Sequence, residues 1–157
     1  MLALGSEPGS LELSPEEMKA YAEKLEKFDA AARLIRAMKD PTVGDGNRVQ
    51  VLVVSSMLEV NRLYGNAQAG VGGYYMGMVS GPIIVTPQKI RRLNTRTDKI
   101  DPEAIFFHEY THHLQLQSTQ RPMPMWLSEG FAEFMGSPLF GDDGSISIGA
   151  AKPSATR

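Results

Sequence analysis

The chain has no cysteine, so disulfide bonds and zinc sites built from thiolates are excluded. It also has no apolar run long enough to cross a bilayer, since the stretch VQVLVVSSML extends over only ten residues. An excess of basic residues is missing as well, and the net charge of −2 argues against a nucleic-acid-binding protein. With 157 residues, of which 42% are hydrophobic and 22% are charged, the chain is predicted to form one globular domain.

Histidine is scarce, and its placement is informative. All three histidines lie in the stretch FFHEYTHHLQLQ, residues 106–117, where His108 and His112 enclose the pattern His-Glu-x-x-His. The preceding DPE sequence at 101–103 is a strong helix start, because aspartate caps a helix and proline suits its first position. Side chains four residues apart lie on one face of an α-helix. The pattern therefore predicts two imidazoles that share one ion.

The residues of the same helix indicate which metal is bound and which residue acts as the general base. Zinc binds imidazole nitrogen at about 2.0–2.1 Å in tetrahedral geometry, and catalytic zinc sites combine three protein ligands with one water. Glu109 is displaced by about 100° around the helix from His108, so it lies beside the ion rather than on it. From that position Glu109 is predicted to act as a general base on a zinc-activated water.

A third ligand is expected from a second helix, which begins near Pro124 and contains MWLSEGFAEFM. Because the chain has no cysteine and no further well-placed histidine, this ligand should be a carboxylate, and Glu129 is the candidate. Glu133 follows one turn later on the same face and is predicted to accept a hydrogen bond from His108. For both glutamates the alternative role is a solvated helix carboxylate.

Other residues of these two helices are predicted to have structural roles. His113 points about 100° away from His112 and is interpreted as a surface or packing histidine rather than a ligand. Gly130 and Ala132 are small, which would let the two helices approach closely. The aromatic residues of both helices are predicted to form the core that holds them together: Phe106, Phe107, Trp126, Phe131 and Phe134.

The remaining elements predict an α+β fold with a small mixed β-sheet. Ser14 and Glu17 form a capping box for an amphipathic N-terminal helix, which Asp40-Pro41 should end. The β-branched run at 48–54 predicts a buried strand. The other elements are a short helix that Ser56 and Glu59 cap and that stops at Gly65, a Gly-rich hairpin with arms at 72–79 and 83–86, and a polar connection at 91–100.

The sequence HEYTH followed by PMPMWLSEGFAEF resembles the gluzincin metallopeptidases, which carry HExxH on one helix and a ligand glutamate on the next. The WLSEG-x-AE form is most similar to the peptidase MA-like bacterial domains, and it also resembles the aminopeptidase-type WxNEGFA signature. The resemblance covers roughly residues 15–150, and it implies a bound zinc ion and hydrolysis of peptide bonds. It gives the ligand role to His108, His112 and Glu129, the base role to Glu109 and the role of a supporting carboxylate to Glu133.

This resemblance also sets expectations for domains and partners. Residues 1–13 are expected to form a flexible N-terminal stub, residues 14–136 a zincin-like metallopeptidase domain, and residues 137–157 a C-terminal tail, with truncation from a longer domain left open. The start of the chain lacks the basic segment and the long apolar core of a secretory signal, and cytoplasm and export both stay open. The expected partner is a peptide or protein substrate in extended conformation, and neither nucleic acid nor a membrane span is expected.

The sequence departs from the gluzincin pattern at the residue that binds the oxyanion. Gluzincins often use a Tyr or His downstream of the third ligand for this purpose, but residues 134–157 contain neither. Tyr74 and Tyr75 are the candidates to substitute, and packing within a strand is their alternative role. Two functions therefore stay open: a zinc-dependent metallopeptidase, and a non-catalytic or latent zinc-binding domain of a larger protein.

Overall fold

The computed structural model describes residues 14–36, 48–88, 101–118 and 123–149. The predicted α+β class is confirmed, and no helix in these ranges is long and apolar enough to span a membrane. The predicted helix end at Asp40-Pro41 and the connection at 91–100 lie outside the described residues. The elements are α1 (Pro15–Ile35), β1 (Gln50–Val54), α2 (Met57–Leu63), β2 (Tyr74–Met76), β3 (Ile83–Pro87), α3 (Pro102–Ser118), α4 (Met125–Met135), β4 (Leu139–Phe140) and β5 (Ile146–Ser147).

The first two helices begin where their capping residues predict. At the start of α1, the Ser14 side chain accepts a hydrogen bond from the Glu17 N–H at 3.1 Å, and Glu17 accepts one from the Ser14 N–H at 2.8 Å. At α2 the Ser56 hydroxyl accepts from the Glu59 N–H at 3.4 Å. The Glu59 carboxylate, however, accepts from the N–H and the hydroxyl of Ser55, both at 2.8 Å. The second capping box is therefore only half formed, because Ser55 offers this carboxylate two donors.

The larger sheet has the strand order β1-β3-β2 and is mixed, as predicted. β1 pairs with β3 in parallel, and β2 pairs with β3 antiparallel, with Tyr75 opposite Ile84. The first arm of the hairpin was predicted over 72–79 but is a strand only at Tyr74–Met76. Glycines at 72, 73 and 77 flank it, and glycine weakens a strand. β2 therefore forms a short edge of the sheet.

Both faces of this sheet are covered, which explains the continuous hydrophobic run of β1. On one face, Val51 and Ile84 pack against helices α1, α3 and α4. On the other face, Val54 and Val85 pack against Val60 of α2. Besides Val51 and Ile84, the buried side chains of the main core are Phe28, Ala32, Phe106, Phe107, Tyr110, Leu114 and Met135.

A small antiparallel hairpin lies within the segment that the sequence assigned to the C-terminal tail. Leu139 of β4 lies opposite Ser147 of β5. The ring of Phe140 lies 5.7 Å from that of Phe107, and Ile146 and Ile148 pack against the same core. Two-residue strands are too short for hydrophobic periodicity to reveal.

Helix α4 packs back along α3, and the close contact is at Gly136 rather than at Gly130. A Cβ atom on Gly136 would lie 3.1 Å from the His108 Cβ and 3.3 Å from the Ala104 carbonyl oxygen. A Cβ on Gly130 would meet no atom within 4 Å, so the packing role predicted for this residue is wrong. Ala132 is fully buried, as expected. Gly136 therefore sets how closely the end of α4 approaches the first histidine.

The predicted aromatic core between the helices is correct on α3 but not throughout α4. Phe106 and Phe107 are buried, whereas Trp126 is 75% exposed and Phe134 is 50% exposed. Met135 of α4 is fully buried in the core. Trp126 precedes it by nine residues, which at about 100° per residue is half a turn around the helix. Trp126 is therefore on the outer face of α4. Phe131 is half-buried and packs against the main core.

Substitution of Gly136 by alanine should destabilise the protein. The added methyl group meets His108 and the α3 backbone, and overpacking of this kind typically costs about 1–3 kcal/mol. Gly130→Ala is the matched control, and alanine in an exposed helix interior should leave stability unchanged or raise it by up to about 1 kcal/mol. Urea unfolding of both variants measures the difference. Equal stability of the two variants would contradict the proposed close contact.

Candidate metal centre

Helix α3 carries most of the site, and contacts at its start and near its middle hold it in place. Asp101 caps it by accepting a hydrogen bond from the Glu103 N–H at 3.0 Å. Glu103 in turn lies 2.6 Å from the Lys24 ammonium of α1. Further along, the Tyr110 hydroxyl donates to Asp29 of α1 at 2.8 Å. These contacts, together with the buried face of the helix, fix the orientation of the His-Glu-x-x-His residues.

The three predicted ligands come together. The Nε2 atom of His108 lies 3.4 Å from one carboxylate oxygen of Glu129, and the Nε2 atom of His112 lies 3.5 Å from the other. One ligand atom from each residue falls within 4.8 Å of the other two. Charge-assisted hydrogen bonds would be shorter, about 2.7–2.9 Å. The three side chains therefore form a group that can hold a metal ion.

Glu133 lies close to His108 but does not touch it. One carboxylate oxygen is 3.6 Å from the His108 Nδ1, beyond hydrogen-bond distance, and the side chain is 85% exposed. It is on the side of the ring away from Glu129, which contacts the Nε2 atom. The hydrogen bond from His108 to Glu133 stays a prediction.

His112 has two polar neighbours that the sequence analysis did not identify. Its Nδ1 atom lies 3.1 Å from the side-chain oxygen of Gln115 and 3.3 Å from the Ser128 hydroxyl. Gln115 is almost completely buried, although glutamine is mostly a surface residue. Its position three residues after His112 places it on the same helical face, which is the signal that could have found it. Ser128 directly precedes the predicted ligand Glu129 in α4.

Glu109 lies next to the two histidines and is held against the edge strand. Its carboxylate accepts a hydrogen bond from the backbone N–H of Tyr75. Burial raises the pKa of Glu109 above its ordinary value, while the nearby His108 and His112 and the Tyr75 N–H act in the opposite direction. The close approach needs a glycine at position 73, since a Cβ there would lie 2.5 Å from an Ile105 methyl carbon.

Asn61 fixes the chain just before β2. Its side-chain oxygen accepts a hydrogen bond from the Val71 N–H at 2.9 Å, and its side-chain NH₂ donates to the Val71 carbonyl at 2.9 Å. This amide is buried, and it pairs with the backbone in the manner of a neighbouring strand. Asn61 therefore helps to place the edge strand beside Glu109, a role that its position in α2 does not reveal.

An open cleft passes over Glu109 and His108. A cavity of about 470 Å³ includes His112, Glu129 and Glu109. A second cavity of about 350 Å³ shares Gly73, His108 and Glu109 with the first. The first cavity has a largely apolar wall, formed by Tyr64, Val71, Tyr74, Leu116 and Met123. The second cavity includes Asp101, Ile105, Glu133 and Gly136.

His113 is a packing residue, as predicted. It is 4% exposed, and the rings of Tyr75 and Tyr110 each lie 5.6 Å from its own. Its Nε2 atom lies 2.9 Å from the side-chain nitrogen of Gln117. Burial lowers the pKa of His113 to about 4. This histidine therefore belongs to the core behind the site and not to the ligand group.

The two tyrosines of β2 lie in different surroundings. The Tyr75 hydroxyl is 3.4 Å from the Nδ1 atom of His113, so it lies against the packing histidine. The Tyr74 ring lies 5.4 Å from that of Tyr64, and both line the larger cavity. Binding of an oxyanion by either tyrosine stays a prediction.

Removal of the Glu129 carboxylate should weaken metal binding strongly. Glu129→Ala leaves two ligands, and the affinity for Zn²⁺ should fall by more than the about 10- to 100-fold that follows loss of a ligand's hydrogen-bond partner. Glu133→Ala is the matched control on the same helix face. Its affinity for Zn²⁺ should fall by no more than about 100-fold. Competition with a chromophoric chelator measures both affinities. Zn²⁺ affinity unchanged in Glu129→Ala would exclude this residue as a ligand.

Comparison with known proteins adds no family to this description. No protein-family model, no curated protein and no solved structure matches the chain. The similarity to gluzincins therefore rests on the quoted motifs alone. The positions of His108, His112 and Glu129 define a group that can bind a metal ion, and they do not by themselves identify the metal.

Proposed function

We propose that the chain is a zinc-dependent metallopeptidase domain of the gluzincin type. The observation that supports this proposal is the convergence of two imidazoles and one carboxylate in a cleft that also contains Glu109. Glu109 is a second carboxylate, not one of the three ligand candidates, and a catalytic site needs such a group as its base. An open cleft next to an edge strand provides access for a polymer substrate.

The donor set supports zinc as the ion. One ligand atom from each of His108, His112 and Glu129 lies within 4.8 Å of the other two. Two histidines and one glutamate are a ligand set that catalytic zinc sites use, with the fourth position left for water.

In this proposal Glu109 transfers the protons, and the backbone of Tyr75 orients Glu109. Bound zinc supplies a Lewis acid that lowers the pKa of a water ligand towards about 7. Glu109 removes a proton from the attacking water, whose oxygen forms a bond to the scissile carbonyl carbon. Glu109 then delivers that proton to the departing amine as the C–N bond breaks. The Tyr75 N–H holds the carboxylate in place for both transfers.

The edge strand β2 supports a peptide as the substrate. It is the outer strand of the β1-β3-β2 sheet, and no other strand in the described ranges pairs with its free edge. An extended peptide can add to such an edge through main-chain hydrogen bonds. Because Glu109 is bound to the backbone of Tyr75, a peptide along this edge would pass directly by the base.

Glu109→Gln should abolish peptide hydrolysis and leave Zn²⁺ bound. Loss of a general acid–base group typically lowers the rate by about 10²- to 10⁴-fold. Glu103→Gln is the matched control, because Glu103 lies on the same helix and contacts Lys24 rather than the cleft. The measurement is cleavage of a mixed peptide library by the full chain, followed by mass spectrometry. Undiminished cleavage by Glu109→Gln would refute this mechanism.

A metal-binding domain without turnover is the second candidate. It is favoured by the position of the Tyr75 hydroxyl, which lies 3.4 Å from the Nδ1 atom of His113. Residues 130–157 contain neither a tyrosine nor a histidine that could act as an oxyanion donor. The same peptide-library experiment distinguishes the two functions. Wild-type protein that binds zinc but cleaves no peptide would support the metal-binding domain and refute the metallopeptidase.

A further inference from the structure

We propose that Gln115 is a positioning residue that fixes the proton on Nδ1 of His112 and keeps the Nε2 atom free to bind metal. The inference rests on the metal-binding part of the proposed function and not on peptide hydrolysis. Its basis is a buried hydrogen-bond cluster formed by His112, Gln115 and Ser128 at the crossing of α3 and α4.

The orientation of the Gln115 amide follows from its contact with the backbone of α4. Its side-chain nitrogen lies 3.0 Å from the carbonyl oxygen of Ser128. A carbonyl oxygen can only accept a hydrogen bond, so this position must be occupied by the NH₂ group. The amide oxygen of Gln115 then faces the other way, towards His112.

This orientation determines the tautomer of His112. The Gln115 oxygen lies 3.1 Å from the Nδ1 atom of His112, and the Ser128 hydroxyl donates to the same oxygen at 2.8 Å. An amide oxygen can only accept, so a hydrogen bond between these two atoms needs the proton of the neutral ring on Nδ1. The Ser128 hydroxyl also lies 3.3 Å from Nδ1, but it donates to the Gln115 oxygen and so leaves the ring nitrogen to act as a donor. The lone pair is consequently on Nε2, the atom that faces Glu129 at 3.5 Å. A metal ion requires this tautomer.

The same cluster sets the position of the third ligand. Gln115 belongs to α3, and it makes two hydrogen bonds with Ser128 of α4, the residue before Glu129. Gln115 is only 4% exposed, so these hydrogen bonds form without competition from solvent. Within the described ranges His108 has no comparable hydrogen bond, and its neighbour Glu133 is 3.6 Å away and 85% exposed. The two histidines are therefore held unequally, and His112 is the pre-oriented one.

Gln115→Leu tests this role, because it keeps the size of the side chain and removes the acceptor. The affinity for Zn²⁺ should fall by about 10- to 100-fold, the usual effect of removing a partner of a metal-binding histidine. Gln117→Leu is the matched control on the same helix, since Gln117 contacts His113 and not a ligand. It should leave the affinity unchanged.

The tautomer of His112 gives a second readout that does not depend on zinc. Long-range ¹H–¹⁵N correlation spectra of the metal-free chain at mildly alkaline pH need to resolve only three histidine rings. Wild-type His112 should be protonated on Nδ1, and Gln115→Leu should shift it towards Nε2–H, while Gln117→Leu should not.

The two readouts separate the failure of this role from the failure of zinc binding. A wild-type His112 protonated on Nε2 would overturn the proposal, and so would a folded Gln115→Leu variant with wild-type Zn²⁺ affinity. If Gln115→Leu does not fold, the wild-type tautomer alone decides. If the wild type binds no zinc, the proposed function fails, and the tautomer still tests the role of Gln115.

Discussion

The contact between helices α3 and α4 is the constraint on which the site depends. It brings Glu129 within 3.4 and 3.5 Å of two imidazoles that helical spacing has already placed side by side. Neither helix alone supplies more than two neighbouring ligands. A small displacement of α4 would separate the carboxylate from the rings, and the group able to hold a metal would be lost. The chemistry of the site therefore depends directly on how α3 and α4 pack together.

Two different interactions fix this contact at its two ends. Near His108, the missing side chain of Gly136 allows backbone and side-chain atoms to approach to about the limit of van der Waals contact. Near His112, the buried hydrogen bonds between Gln115 and Ser128 set the position of α4 relative to α3. Steric fit limits the distance between the helices, and directional hydrogen bonds limit the sliding of one along the other. Together they place Glu129, which lies between these two contacts in the sequence.

The local features of the fold were largely predictable because they depend on residues near one another in sequence. The Ser14 capping box, the Asp101 cap and the two site helices form where the sequence predicts them, since capping is a contact between neighbouring residues. The convergence of His108, His112 and Glu129 was also predicted, from the ligand count that a metal requires. The predictions that failed on α4, for Gly130, Trp126 and Phe134, concerned which face of this helix meets α3. That choice depends on packing between distant segments and has no local signal.

The sequence by itself determined the types of groups at the site, because the spacing of His108, Glu109 and His112 acts through helical geometry alone. It also determined that one carboxylate from the following helix would be available. Only the tertiary structure decided that Gln115 and Ser128 support His112, that Gly136 is the close contact, and that the Tyr75 backbone holds Glu109. These are contacts between elements that are brought together by burial of a shared core. Their partners are fixed by the relative orientation of whole helices and strands, which no short stretch of sequence encodes.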